Sequence, residues 1–423
     1  MEEMSFEYWN KLAEQIIVIS SLLGGFSIAV IANFLVSDAN TRLSRNIMKA
    51  AVLAASFFLV SVFAMTKVLM RGNEVLAEAA IMAGCRFYAG YPITSQNEIP
   101  AYMSSRMAEV GGVFIQAESE ISAINMVFGA SLTGTRAMTS SSSPGISLKQ
   151  EGISYLAGCE LPAVIVNMMR GGPGLGNIAP SQGDYFQATR GGGHGDYRQI
   201  VLAPASLQEI VELTMLSFDL ADKYRMPVMI LGDGVLGQMM EPVELDMEYG
   251  IRNTGYRKDW ILDGCKGRKP RIIRSLLLVE GELERLNEKL QKKYNEIKEK
   301  EVRYEALYED DSKIMLVSYG TVARTCRNIV ERLRSQGKKI GMFRPITLWP
   351  FPEKALKKIA EKVDSFLTVE MSCGQMVDDV RLSIECKKPV HFYGRSGGGV
   401  PTEEEIIKKL SALSSQPSAS KNS

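Results

Sequence analysis

The sequence predicts an α/β protein with two doubly wound parallel sheets, preceded by a two-helix transmembrane segment. Three observations predict it. After Met65, short apolar runs alternate with helical stretches, the pattern of βαβ units. A charge-rich stretch, residues 246–311, divides that series in two. Ahead of the series stand two uncharged apolar runs, residues 15–36 and 50–65, one near the about 20 residues that span a bilayer and one shorter.

The elements follow in order. Glu2, Glu3 and Glu7 make the start acidic, which argues against a signal peptide, so the apolar runs read as a membrane hairpin over residues 1–64. Arg42, Arg45 and Lys49 would hold its connection in the cytoplasm and place the rest outside. That conflicts with a thiol-bearing α/β enzyme, so a second reading makes the hairpin foreign to a chain that starts at Met65. The expected location is the cytoplasm, with a membrane tether through residues 15–66.

Residues 65–245 form the first expected α/β domain. Helices are expected at residues 72–83, 121–132 and 207–223, and strands at 86–89, 136–139, 163–168 and 228–231. Residues 246–311 are expected as a helical linker, with a long solvated helix over 280–309 rich in i,i+4 charge pairs. Residues 312–410 form the second domain, with strands at 313–319, 339–343 and 365–370. Residues 411–423 read as a disordered tail.

Composition excludes several functions. A net charge of +1 leaves no nucleic-acid footprint. The six cysteines include no C-x-x-C pair, which argues against an iron–sulfur cluster or structural zinc on this chain. The two histidines, His194 and His391, make a metal pair or a Ser-His-Asp triad hard to build.

The residues that carry chemistry lie between Tyr91 and Gly176, at or near the ends of apolar runs, which meet at one edge of a parallel sheet. Thr94, in Tyr91-Pro92-Ile93-Thr94, can donate to a carboxylate; alternatively Thr94 or Ser95 caps a helix. Glu118 and Glu120 precede a small apolar helix. An acid there either serves the first turn or enters a pocket and shares a proton with a heterocyclic nitrogen. Residues 140–145 (SSSSPG) offer hydroxyls and free N–H groups to an anion, or form an ordinary polar loop. Arg170 ends a strand beside Gly171 and Gly172; it can grip a carboxylate or make a surface ion pair. Residues 172–176 lack the dinucleotide spacing, and residues 191–195 read as a loop. Gly232-Asp233-Gly234 begins a metal–pyrophosphate signature but lacks its downstream asparagine pair.

Taken together, YPIT, AESE-x-x-AIN, TSSSSPGISLKQEG, RGGPGLG, PSQGDYFQAT-x-GGGHGDYR, LGDG, FRPITLWPFP and GRSGGGVPTEEE resemble one family. It is the α subunit of the 2-oxoacid:ferredoxin oxidoreductases, of the branched-chain type that acts on 2-oxoisovalerate (3-methyl-2-oxobutanoate). The resemblance covers roughly residues 65–410. It implies a thiamine-diphosphate pyrimidine-binding domain followed by a transketolase C-terminal-like domain. It implies oxidative decarboxylation of a 2-oxoacid with coenzyme A to acyl-CoA, CO2 and reduced ferredoxin. Thiamine diphosphate would be shared with a β subunit that brings the diphosphate site, Mg2+ and an iron–sulfur cluster; γ and ferredoxin-like δ subunits and ferredoxin would be further partners. By motif, Glu120 would bind the aminopyrimidine nitrogen and promote its imino form, with Gly145 beside the cofactor. Thr94 and Arg170 would hold the substrate carboxylate, with Ser141 and Ser142 lining the pocket, and no metal on this chain. Ser95 stands where many relatives carry proline, which would loosen the loop. The alternatives are a 2-oxoglutarate enzyme of the same family and a membrane-tethered, non-catalytic interaction protein.

Overall fold

The computed structural model describes residue 49 and residues 67–245 and 258–414. The expected hairpin runs, residues 15–36 and 50–65, lie outside them. Among the described residues no helix is long and apolar enough to cross a membrane. The chain divides into two units. The first comprises residues 1–69 and 242–245; there Lys67, in β1 (Lys67–Arg71), pairs with Glu244 at 3.3 Å.

The second unit holds two sheets. It opens with α1 (Gly72–Met82) and alternates β2 (Phe87–Gly90), α2 (Glu98–Arg106), β3 (Val113–Gln116), α3 (Glu120–Leu132), β4 (Ala137–Ser141), α4 (Ser143–Gly158) and β5 (Ala163–Met169). Next come α5 (Tyr185–Thr189), β6 (Ile200–Leu202), α6 (Leu207–Tyr224), β7 (Pro227–Asp233), α7 (Gly234–Gln238) and β8 (Met240–Glu244). Strands β4, β5 and β7 are buried at every residue, as central strands of a parallel sheet covered on both faces must be. In β5 and β7 the apolar residues are therefore largely consecutive rather than alternating. The expected helices over 72–83, 121–132 and 207–223 form as α1, α3 and α6.

The connecting segment differs from expectation. The helix expected over residues 280–309 ends at Lys300, as α8 (Glu282–Lys300). It is not solvated all round, since Leu290, Tyr294 and Ile297 are buried at i, i+4 and i+7. Tyr304–Leu307 then forms β9. Its few apolar side chains among glutamates disguised an edge strand as more charged helix.

The second sheet follows. The elements of this part of the chain are β10 (Ile314–Val317), α9 (Gly320–Ser335), β11 (Ile340–Pro345), β12 (Thr347–Trp349), α10 (Glu353–Ala360), β13 (Ser365–Glu370), α11 (Met376–Ser383), β14 (Val390–Gly394) and α12 (Glu403–Ser414), of which β10, β11, β13 and β14 enter the second sheet with β9. Its order is β14-β13-β10-β11-β9, parallel except where β9 meets β11. The helix α12 takes in residues 411–414 of the expected disordered tail, anchored by buried Ile406 and Leu410; residues 415–423 lie outside the description.

One strand changes sheets. After Pro345 the chain leaves the second sheet, and β12 joins the first antiparallel, Thr347 opposite Leu202 and Trp349 opposite Val201. The first sheet is thus β12-β6-β7-β5-β4-β2-β3, parallel apart from β12. Trp349 also meets Tyr294 of α8 edge-on, ring centroids 5.6 Å apart. The FRPITLWPFP segment is therefore a strap between sheets. One hydrophobic core accordingly contains Ile165 and Met229 together with Phe343 and Phe366.

A charged clasp reinforces the strap. Arg344, almost fully buried, donates to Glu209 at 2.8 and 2.6 Å and to Glu305 at 3.0 Å. It joins the start of α6 to β11 and β9. Arg344→Met should lower stability by about 2 kcal/mol, less than the about 3–5 of a fully buried pair because both carboxylates remain about a quarter exposed. Denaturant unfolding of the assembled protein measures it.

Candidate functional site

Strand ends build this site. The loops after β2, β3, β4 and β5 open at one edge of the first sheet, where ligands of α/β folds sit. After β3, Ser119 takes an extended conformation and its hydroxyl accepts from the Ser122 N–H at 3.2 Å, capping α3. Glu120 therefore lies in the first helical turn and is 6 % exposed. Glu118, two residues earlier, is exposed, and a hydrogen bond from the Ser122 hydroxyl holds its carboxyl below the usual range. The change from extended backbone to helix at Ser119 separates the two acids: one faces solvent, the other the interior.

After β4 the SSSS run turns into α4, and its four hydroxyls divide. Ser140 is occupied by Tyr88, at 2.6 Å, and by Gln96. Ser143 donates to Asp184 at 2.6 Å and accepts from the Arg170 N–H at 3.0 Å. Ser141 and Ser142 are fully buried, and their hydroxyls have no partner. Asn167 and Asp184 support the turn: Asn167 Oδ1 accepts from the Ser143 N–H at 3.1 Å, and Asn167 Nδ2 donates to Asp184 at 2.9 Å. Burial raises the Asp184 carboxyl, against the lowering effect of its bonds from Ser143 and Asn167.

Gly145 brings the two helices together. A Cβ there would lie 2.1 Å from Ser141 Oγ and 2.6 Å from Glu120 Oε1. Only a residue without a side chain lets α4 approach the carboxylate this closely. Glu120, Ser141 and Gly145 thus converge at one point.

Arg170 and Thr94 form the neighbouring part. The guanidinium donates to the Thr94 carbonyl at 2.8 Å and the Leu175 carbonyl at 3.1 Å, while its Nε is buried without a partner. It clamps two loops rather than forming the surface ion pair of the alternative reading. Thr94 is exposed; α2 begins after Asn97, so neither Thr94 nor Ser95 caps it. Ser95 does not loosen the loop: it is buried, its hydroxyl donates to the Ile178 carbonyl at 3.3 Å, and its carbonyl accepts from Asn73 at 3.0 Å.

Sequence reasoning missed Asn167, Asp184 and Lys149. Asp184 sits in a quoted motif, PSQGDYFQAT, without an assigned role. Lys149 is the charged residue among the buried positions of α4, between Gly145 and Gly152, and that was its signal. It is 0 % exposed, its Nζ has no hydrogen-bond partner, and burial lowers its ammonium to about 8 while nearby Glu120 opposes the shift. Asp233, in the incomplete metal–pyrophosphate signature, serves the fold. It accepts from the Val235 and Leu236 N–H groups at 2.9 and 3.2 Å and from Thr321 at 3.0 Å.

Comparison with known proteins gives the family of the chain. Residues 78–305 match the family "Pyruvate flavodoxin/ferredoxin oxidoreductase, thiamine diP-bdg", and residues 312–406 match "Pyruvate:ferredoxin oxidoreductase core domain II". The chain is 48 % identical over 344 residues to ketoisovalerate oxidoreductase subunit VorB of Methanothermobacter thermautotrophicus, covering 81 % of this chain and 96 % of that one. It is 38 % identical over 332 residues to 2-oxoglutarate synthase subunit KorA of Archaeoglobus fulgidus, covering 77 % and 94 %. The fold is similar to a 2-oxoglutarate:ferredoxin oxidoreductase from Magnetococcus marinus with 2-oxoglutarate, coenzyme A and succinyl-CoA bound. The TM-score is 0.74 at 23 % identity, over 87 % of this chain and 71 % of that one. The chain belongs to the 2-oxoacid:ferredoxin oxidoreductases, which use thiamine diphosphate and coenzyme A.

The residues fit one end of thiamine diphosphate. A buried carboxylate, unpartnered hydroxyls and a cradle without a side chain suit a polar heterocycle. Among the described residues no group of three or more metal-ligating side chains converges to hold a magnesium diphosphate. Gly145→Ala should weaken thiamine diphosphate binding by the assembled enzyme at least about tenfold, read by titration calorimetry. Gly129→Ala, whose added methyl would meet nothing within 4 Å, should leave the affinity unchanged.

Proposed function

We propose that this chain is the subunit that holds the aminopyrimidine end of thiamine diphosphate in a branched-chain 2-oxoacid:ferredoxin oxidoreductase. In the reaction, 2-oxoisovalerate, coenzyme A and two oxidised ferredoxins give the branched acyl-CoA, CO2, two reduced ferredoxins and a proton. The observation that carries the reading is the Glu120 carboxylate, buried against Gly145 beside an unpartnered Ser141 hydroxyl. Identity of 48 % to a ketoisovalerate subunit, against 38 % to a 2-oxoglutarate subunit, favours the branched-chain substrate.

Each residue has a definable task. The chemistry that thiamine diphosphate supplies when bound is carbanion stabilisation. Glu120 holds a proton between its carboxylate and the aminopyrimidine ring nitrogen. Gly145 leaves room for the Glu120 carboxylate at the start of α4. Arg170 and Thr94 orient the substrate carboxylate, and the free Arg170 Nε gives that carboxylate a charged donor. Ser141 and Ser142 offer hydroxyls to the reacting end of the substrate. In this reading residues 65–245 bind the pyrimidine, 246–311 connect, and 312–410 form the transketolase C-terminal-like part.

The remaining parts come from partners. A β subunit would bring the diphosphate, magnesium and iron–sulfur chemistry, with γ and δ subunits completing the electron path. Around the site, Tyr91, Ile121, Leu148, Leu175 and Ile178 are exposed apolar side chains, an arrangement suited to being covered by another chain. The membrane-tethered scaffold reading draws nothing from the described residues, and a scaffold has no need of a buried carboxylate in a cradle.

Co-expression with the partner subunits and viologen reduction over a 2-oxoacid panel tests this. Turnover with 2-oxoisovalerate should exceed that with 2-oxoglutarate. Glu120→Gln should cut turnover by about two orders of magnitude or more with little change in unfolding temperature. Unchanged turnover would remove Glu120 from the mechanism.

A further inference from the structure

Lys149 is a charged side chain that the proposed reaction does not use. It sits at 0 % exposure in α4, and its Nζ finds no hydrogen-bond partner. Taking an ammonium out of water without a partner is costly, so its surroundings must compensate. One helical turn before it is Gly145, whose missing side chain leaves α4 against Glu120 Oε1; roughly one turn after it is Gly152, where a Cβ would lie 2.5 Å from Ile124 Cγ2. Positions 145, 149 and 152 share one helix face, and that face lies on the 120 and 124 positions of α3. Lys149 is therefore sealed in the seam between the two helices, next to the first turn of α3. The charge that acts on its ammonium is Glu120.

We propose that Lys149 is a positioning residue for Glu120: its sealed ammonium is the counter-charge that fixes the Glu120 carboxylate toward the cradle at Gly145, and so sets how tightly the aminopyrimidine is held. This rests on the reading that Glu120 binds that ring. The pair works in one direction. Glu120 touches the ligand, and Lys149 acts through Glu120 alone, as groups behind a metal ligand orient the ligand. The substrate carboxylate, held by Arg170 and Thr94, should not register its loss.

A double-mutant cycle in the assembled enzyme tests this. Thiamine diphosphate affinity, measured by titration calorimetry, is compared for Lys149→Met with Glu120 intact and with Glu120→Gln in place. Lys149→Met alone should weaken binding about tenfold and leave KM for the 2-oxoacid unchanged. In the Glu120→Gln background the same change should have less than about a twofold effect. Equal losses in both backgrounds, or none in either, would overturn the proposal. Lys149→Gln serves as a second variant of similar length. If neither variant assembles with the partner subunits, Lys149 is a structural residue and the proposal fails. Glu120→Gln alone separates the two ideas. If it leaves both affinity and turnover intact, the reading of Glu120 has failed; if it weakens binding and cuts turnover while Lys149→Met does nothing, only the role of Lys149 has.

Discussion

The close approach of α4 to the start of α3 is the constraint on which the site depends. Two glycines permit it. At Gly145 a Cβ would meet the Glu120 carboxylate at 2.6 Å, and at Gly152 it would meet Ile124 Cγ2 at 2.5 Å. Glycine inside a helix costs about 1 kcal/mol relative to alanine. The fold accepts that cost twice along one helix face, and gains contact between a helix start and a buried acid. The same seam encloses Lys149, so one packing decision places the acid, its cradle and its counter-charge.

The rest of the edge is organised around keeping certain polar groups free. Ser140 and Ser143 are tied into structure by Tyr88, Gln96 and Asp184, which leaves Ser141 and Ser142 without partners between them. Arg170 uses two nitrogens to hold the Thr94 and Leu175 carbonyls and leaves a third unpaired. Buried polar groups without partners are uncommon in a folded protein, and Ser141, Ser142 and Arg170 carry such groups side by side where strands end. A ligand or a second chain would supply their partners.

Much of this was legible in the chain, for physical reasons. Central parallel strands are covered on both faces and so mostly apolar, which let the strands at 163–168 and 228–231 be named; they form as Ala163–Met169 and Pro227–Asp233. Glu120 could be named from its motif, but composition alone could not separate it from Glu118, since both suit a first helical turn. Burial separates them. The edge strand Tyr304–Leu307 was hidden by its glutamates, and the sheet change at Thr347–Trp349 has no periodicity signal because three residues are too few. Lys149 could have been found, since a lysine on the glycine-lined face of a buried helix is an anomaly of pattern. Asn167 and Asp184 act through hydrogen bonds to a turn distant in sequence, which no local pattern encodes.

The site depends on where Glu120 points. A structure of the assembled enzyme with thiamine diphosphate bound tests it most directly. A Glu120 carboxylate oxygen should lie about 2.8 Å from the aminopyrimidine ring nitrogen, with the ring beside Gly145. A ring bound away from Gly145, with Glu120 beyond hydrogen-bonding distance, would contradict it.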